Sequence, residues 1–222
     1  MSVDFYSLIN EYDSFLSDEK EESFIVKPSN KSKVLISCPH AVSQLREGRV
    51  KSAEKETGIM GLVLNELYGY PLICKTSNKD DDANYDPKSE YKNAVVNLVK
   101  ENGYRCVIDL HQLSYKRKEE VNPGVAGYRN FPNKELLQSI VDIFNEHGID
   151  KVSVDSPFKA GSPNTVSSYV HNHTGIDTIQ LEINSHLISK YCNKEYMNSR
   201  IKEVTEIIHE IIILLDKFYE EN

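Results

Sequence analysis

The sequence is short of positive charge: 26 Lys and Arg stand against 34 Asp and Glu, a formal net charge of −8 over 222 residues. Such a surface repels a phosphate backbone, which argues against general nucleic-acid binding. Cysteines are few and scattered, and Cys38, Cys74, Cys106 and Cys192 lack the paired spacing of a zinc finger or redox motif. Cys38, Cys74 and Cys106 stand in apolar runs, where a reduced, buried thiol is expected. The longest apolar run, Ile211 to Leu215, is far below the ~20 residues that span a bilayer, so no membrane partner is expected. The opening MSVDFYSLINEYDS has acidic residues early and no basic region before an apolar core, which predicts no signal peptide. Repeats, low-complexity tracts and linkers are missing too. What remains is a soluble, reduced, cytoplasmic globular protein, expected to form one α/β domain over residues 1–222.

The pattern alternates. Residues 1–22 read as an amphipathic helix followed by the charged turn Asp18–Glu22. Strands are expected at Lys33–Cys38, Tyr70–Cys74, Tyr104–Leu110, Lys151–Val154 and Thr178–Asn184, and helices at Glu54–Leu67, Lys88–Lys100, Asn133–Glu146 and Pro163–Val170. NPGVAGYRNFP reads as a Gly/Pro-rich loop. Over residues 193–221, Ile201, Val204, Ile208, Ile211, Leu215 and Phe218 step by three and four, which places one apolar stripe on a long terminal helix. Strands alternating with helices predict a three-layer α/β fold, a mainly parallel mixed sheet covered on both faces.

In open α/β sheets, ligands bind beyond the carboxyl ends of the strands. KVLISC runs into Pro39-His40, YRCVIDL carries Asp109 and runs into His111, and TIQLEIN holds Glu182 inside an apolar stretch before Asn184. Two histidines and two carboxylates at three strand ends form a metal-site constellation. Burying Glu182 without a partner is costly, and Asp109 is placed to accept from a ligand histidine or to fix the loop. Walker-type, G-x-G-x-x-G, H-E-x-x-H and G-x-S-x-G motifs are all lacking. Cys38 as a nucleophile is disfavoured by strand burial. The rival metal motif is His171-Asn172-His173, whose i, i+2 spacing suits a strand although SSYVHNHTG looks like a helix end. His147 and His209 fall in helical patterns as surface or dipole-facing residues.

Four segments in order, CPHAVSQLREGRVKSAEKETG, DDDANYDPKSEYK, VIDLHQ and IQLEIN, resemble the N-formylglutamate amidohydrolase-like proteins, over roughly residues 33–190. Those proteins are similar in fold to zinc carboxypeptidases and succinylglutamate desuccinylases. The resemblance implies one zinc held by His, a carboxylate and His, with a late-strand Glu as general base. Residue by residue, it implies His40 and His111 as histidine ligands, Glu54 as the carboxylate ligand and Glu182 as the base. The H-x-x-E pairing of zinc carboxypeptidases is broken here by Ser43, so Glu47 and Glu56 compete with Glu54 for the carboxylate position.

The resulting expectation is a zinc-dependent hydrolase of a C–N amide bond in an N-acyl amino acid or small peptide. Three ligands leave a position for water, whose pKa the metal lowers toward ~7. Arg46 is the candidate for the oxyanion, Arg46 or Arg129 for gripping a substrate carboxylate, and Asn84 for orienting the substrate. Surface ion pairs for the arginines, and an Asx-type turn for Asn84, are the plainer alternatives.

Overall fold

The computed structural model describes residues 4–17, 20–188 and 194–222; Cys192, and Asp18 and Glu19 of the charged turn, lie outside the described residues. α1 (Phe5–Phe15) is capped by Asp4 and buries Leu8, Ile9 and Tyr12. β1 (Phe24–Lys27) follows, and then the apolar run β2 (Val34–Cys38), buried along its whole length. A small hairpin, β3 (Gln44–Arg46) and β4 (Arg49–Lys51), turns at Glu47 and Gly48, both at positive φ. α2 (Lys55–Tyr68), β5 (Leu72–Lys75), α3 (Glu90–Asn102), β6 (Cys106–Leu113) and β7 (Val121–Gly124) come next. α4 (Lys134–Glu146), α5 (Val166–Thr174), β8 (Asp177–Asn184) and α6 (Lys194–Glu221) complete the order.

The main sheet has the order β1-β5-β2-β6-β8-β7. Its four inner strands are parallel and its two edges, β1 and β7, antiparallel. Alternation along each strand builds two cores. On one face Val34, Ile36, Ile108, Leu110, Ile179 and Leu181 pack with α1, α2, α4 and α6. On the other, Leu35, Ile73 and Val107 pack with Tyr91, Val95 and Val99 of α3 and Val166 and Val170 of α5. The three-layer mixed α/β architecture expected from the sequence is therefore the one observed. Ile201, Val204, Ile208, Ile211 and Leu215 of α6 are buried as their spacing predicts.

Some expectations need correction. Lys151–Val154 is not a strand; only Val152 bridges to Val121. The edge position belongs instead to β7, inside the expected Gly/Pro-rich loop, because Pro123 is tolerated where a strand has a free side. β1 and the β3–β4 hairpin were not anticipated. Helix α5 starts and ends later than expected and takes in His171 and His173. Among the described residues no helix is long and apolar enough to cross a membrane.

Two glycines bring α2 close to the strand end that matters. A Cβ on Gly58 would lie 2.5 Å from the Ala41 Cβ, and one on Gly61 would lie 2.6 Å from Cys38 Sγ. The helix can approach β2 and the turn at His40 only because both positions lack a side chain.

Candidate metal centre

That close approach places Glu54, the N-cap residue of α2, beside His40: the Glu54 N–H donates to the His40 carbonyl at 2.8 Å. The side chains meet as well. His40 Nδ1 lies 3.0 Å from Glu54 Oε1, and His111 Nδ1 lies 3.3 Å from Glu54 Oε2. The two imidazoles stand nearly perpendicular, with centroids 4.7 Å apart. The far nitrogens are held by carboxylates: His40 Nε2 is 3.0 Å from Asp82 Oδ1, and His111 Nε2 is 2.9 Å from Asp109 Oδ2. Every ring nitrogen thus faces a carboxylate, which only accepts; a metal bound at each Nδ1 would replace the hydrogen there, while each Nε2 keeps its own for Asp82 or Asp109.

This donor set fits a zinc ion. Two atoms bound at 2.0–2.1 Å and the tetrahedral angle lie about 3.3 Å apart, close to the separations observed. The three ligand atoms lie within 4.8 Å of one another, and the chemistry of two imidazoles and one carboxylate is that of a three-ligand zinc site with an open position. Charge is set for it. Burial opposes ionisation of Glu54, but the two histidines outweigh it and hold the carboxyl below the usual carboxylate range. Burial raises and His40 and Arg46 lower Asp82, which ends at about 2. Burial likewise lowers His40 and His111, yet Glu54 with Asp82, and Asp109 with Glu54, lift both above the ordinary imidazole value.

Sheet register positions the rest. His111 on β6 is the Cα partner of Glu182 on β8, and Asp109 is the partner of Gln180. All four sit on the sheet face away from Ile179, Leu181 and Ile183, as strand alternation requires. Glu182 is 7% exposed and lines the cleft, and burial pushes its carboxyl up to about 7. Gln180 Nε2 donates to Glu182 Oε1 at 2.8 Å. A buried chain supports Asp109 from behind: Ser37 Oγ donates to Asp109 Oδ1 at 2.7 Å and meets the Tyr91 hydroxyl at 3.0 Å.

The other sequence candidates separate. Glu56 accepts from Gln112 Nε2 at 3.1 Å, and Glu47 is bonded by the Tyr85 hydroxyl at the hairpin, so of the three competing carboxylates Glu54 stands between the histidines. Arg46 lines the cleft, with Nη2 2.7 Å from Asp82 Oδ2 and its guanidinium over the Tyr85 ring. Asn84 also lines it, with both side-chain polar atoms engaged. Arg129 is not brought there; it donates to Ser168 and Asn130. His171 and His173 project from a helix, where i, i+2 residues diverge, and their Nδ1 atoms face the carbonyls of Ile176 and Tyr169. His147 pairs with Glu210 at the surface, whereas His209 is half-buried and stacks on Tyr68 at 3.7 Å. Asp82 and Gln180 were missed by sequence reasoning; the Asp80-Asp81-Asp82 run and the polar alternation of TIQLEIN were the available signals.

The cleft has two lobes, of about 320 and 470 Å³, that share His40, Arg46, Glu54, Gln112 and Ser114. Lys51 lines one lobe, and Arg117 and Lys159 the other. None of these three has an ion-pair partner among the described residues.

No family model matches the sequence, and no curated protein matches it. Solved structures do. A bacteriophage poly-gamma-glutamate hydrolase is 17% identical, with 93% of this chain and 94% of that one covered and a TM-score of 0.59. N-formylglutamate amidohydrolase from Ralstonia eutropha JMP134 is 12% identical, with 86% and 98% covered and a TM-score of 0.55. A metallo-carboxypeptidase from Burkholderia cenocepacia is 11% identical, with 94% and 68% covered and a TM-score of 0.52. The chain thus shares its fold with an N-formylglutamate amidohydrolase and a metallo-carboxypeptidase, as the sequence motifs lead one to expect.

Proposed function

We propose that the protein is a zinc-dependent hydrolase that cleaves a C–N amide bond in an N-acyl amino acid or small peptide bearing a carboxylate. The observation that carries this reading is the placement of Glu182 across from His111, beside a His40–Glu54–His111 group with the donor set of a zinc site. A bound zinc would supply a polarising charge for the amide carbonyl and an acidified water. Glu182 takes a proton from the attacking water at its carboxylate and delivers it to the departing amine nitrogen. Asp82 and Asp109 accept from the Nε2 side of the imidazoles and orient each Nδ1 toward the position a metal would take. Arg46, anchored on Asp82, stabilises the developing oxyanion or grips the substrate carboxylate.

The cations along the cleft favour an anionic substrate in a chain of net charge −8. The similar structures are in keeping with this, since poly-gamma-glutamate and N-formylglutamate both carry carboxylates near the amide. Free, buried Cys38, Cys74 and Cys106 fit a reducing, cytoplasmic setting. Metal analysis of the purified protein, followed by assays on N-formyl-glutamate, other N-acyl amino acids and γ-linked oligoglutamates, tests the reading. About one zinc per chain and metal-dependent release of amine are expected. Stoichiometric metal without hydrolysis of any of them would favour a metabolite-binding protein instead.

A further inference from the structure

We infer that Gln180 is a positioning residue for Glu182, and that the short segment from Asp82 to Asn84 sets both the metal ligand His40 and this base. The inference rests on the hydrolase reading above. Gln180 is buried, two residues before Glu182 on the same face of β8. Its Nε2 donates to Glu182 Oε1 at 2.8 Å, and its Oε1 accepts from Asn84 Nδ2 at 3.2 Å. Asn84 Oδ1 in turn accepts from the Val166 N–H at 2.7 Å.

Val166 is the first residue of α5, so its N–H has no partner within the helix. A backbone N–H only donates, and that fixes the chain of amides without ambiguity. The Asn84 atom facing Val166 must be oxygen, so its NH₂ faces Gln180; the Gln180 atom facing it must be oxygen, so the Gln180 NH₂ faces Glu182. One carboxylate oxygen of Glu182 is therefore held, while Oε2 has no hydrogen-bond partner among the described residues and is left to handle the proton.

The same segment reaches the metal group. Asp82 Oδ1 accepts from the Asn84 N–H at 3.0 Å as well as facing His40 Nε2, and the Asp82 N–H donates to Asp86 Oδ2 at 2.8 Å. Lys92 clamps the arrangement, donating from Nζ to the carbonyls of Asp86 at 2.5 Å and Asn164 at 2.7 Å. Both polar atoms of Asn84 are thus engaged in the scaffold, which orients Gln180.

Two substitutions separate this from plain packing. Gln180→Leu keeps the bulk and removes the donor. Asn84→Asp keeps an oxygen for Val166 but places a second oxygen against Gln180, so the Gln180 amide must turn its NH₂ away from Glu182. Crystal structures of the metal-loaded variants should show the Glu182 carboxylate displaced, with His40, Glu54 and His111 in place. On the substrate that wild type hydrolyses, each variant should lose roughly 10- to 100-fold in kcat with KM nearly unchanged and zinc retained. The losses should not multiply in the Asn84→Asp/Gln180→Leu double variant, nor in Gln180→Leu/Glu182→Gln. An unmoved Glu182 in both variant structures, or losses that multiply, would overturn the inference. The structural readout needs no substrate, so it separates a failure here from a failure of the hydrolase reading.

Discussion

Asp109 and Gln180 are register partners on neighbouring strands, and each supports the side chain two residues further along its own strand. Asp109 accepts from His111 Nε2 at 2.9 Å, and Gln180 donates to Glu182 at 2.8 Å. One parallel ladder thus carries two layers, a supporting pair below and a cleft-lining pair above. The arrangement follows from side-chain alternation alone.

The histidines are the first test of that upper layer. If both Nδ1 atoms hold metal, His40→Ala and His111→Ala should each lose the zinc that the parent carries, read by elemental analysis after dialysis. Full retention of metal in both variants would remove the site.

Glu54→Gln keeps the size and removes the charge facing both imidazoles. Zinc affinity should fall by roughly 10-fold or more in a chelator competition. Glu56→Gln and Glu47→Gln should leave it unchanged, because their carboxylates are bonded by Gln112 and Tyr85 and not by histidine.

Asp82→Asn should weaken zinc by about 10- to 100-fold, the range for a carboxylate that orients a ligand histidine. Asp81→Asn is the control, since Asp81 pairs with Lys75 at 2.5 Å and touches neither imidazole. Equal effects of the two substitutions would reduce the role of Asp82 to general charge.

The metal-free protein should show Glu182 in its stability. Burial raises this carboxyl from 4.5 to about 7, so the folded chain holds that proton more tightly than the unfolded chain. Its contribution is fully present below pH 4.5 and is lost as pH rises through 7, a change of up to about 3 kcal/mol. Glu182→Gln should remove that slope, so its stability relative to wild type should rise between pH 4.5 and 7. Parallel wild-type and variant curves in urea titrations at several pH values would contradict it.

Much of this site was legible in the sequence, for reasons that lie in the strands. In TIQLEIN the apolar Ile179, Leu181 and Ile183 alternate with Gln180 and Glu182, so the side facing the cleft could be read before any fold was known. His40 and His111 could be placed because each closes a buried apolar run. Asp82 could not, since it reaches His40 from a loop whose path no local pattern sets. The hairpin that carries Arg46 was hidden because its turn puts Glu47, a residue that rarely adopts positive φ, in place of Asn or Gly. β7 was hidden by Pro123 and Gly124, residues that read as loop everywhere except at a sheet edge.

The most direct test of the account is turnover by Glu182→Gln alongside its zinc content. Glu182 is assigned as a base and not as a ligand, so the variant should keep about one zinc per chain and lose about 10² to 10⁴ in kcat. A variant that keeps its zinc and hydrolyses the substrate within a few-fold of wild type would contradict the mechanism outright.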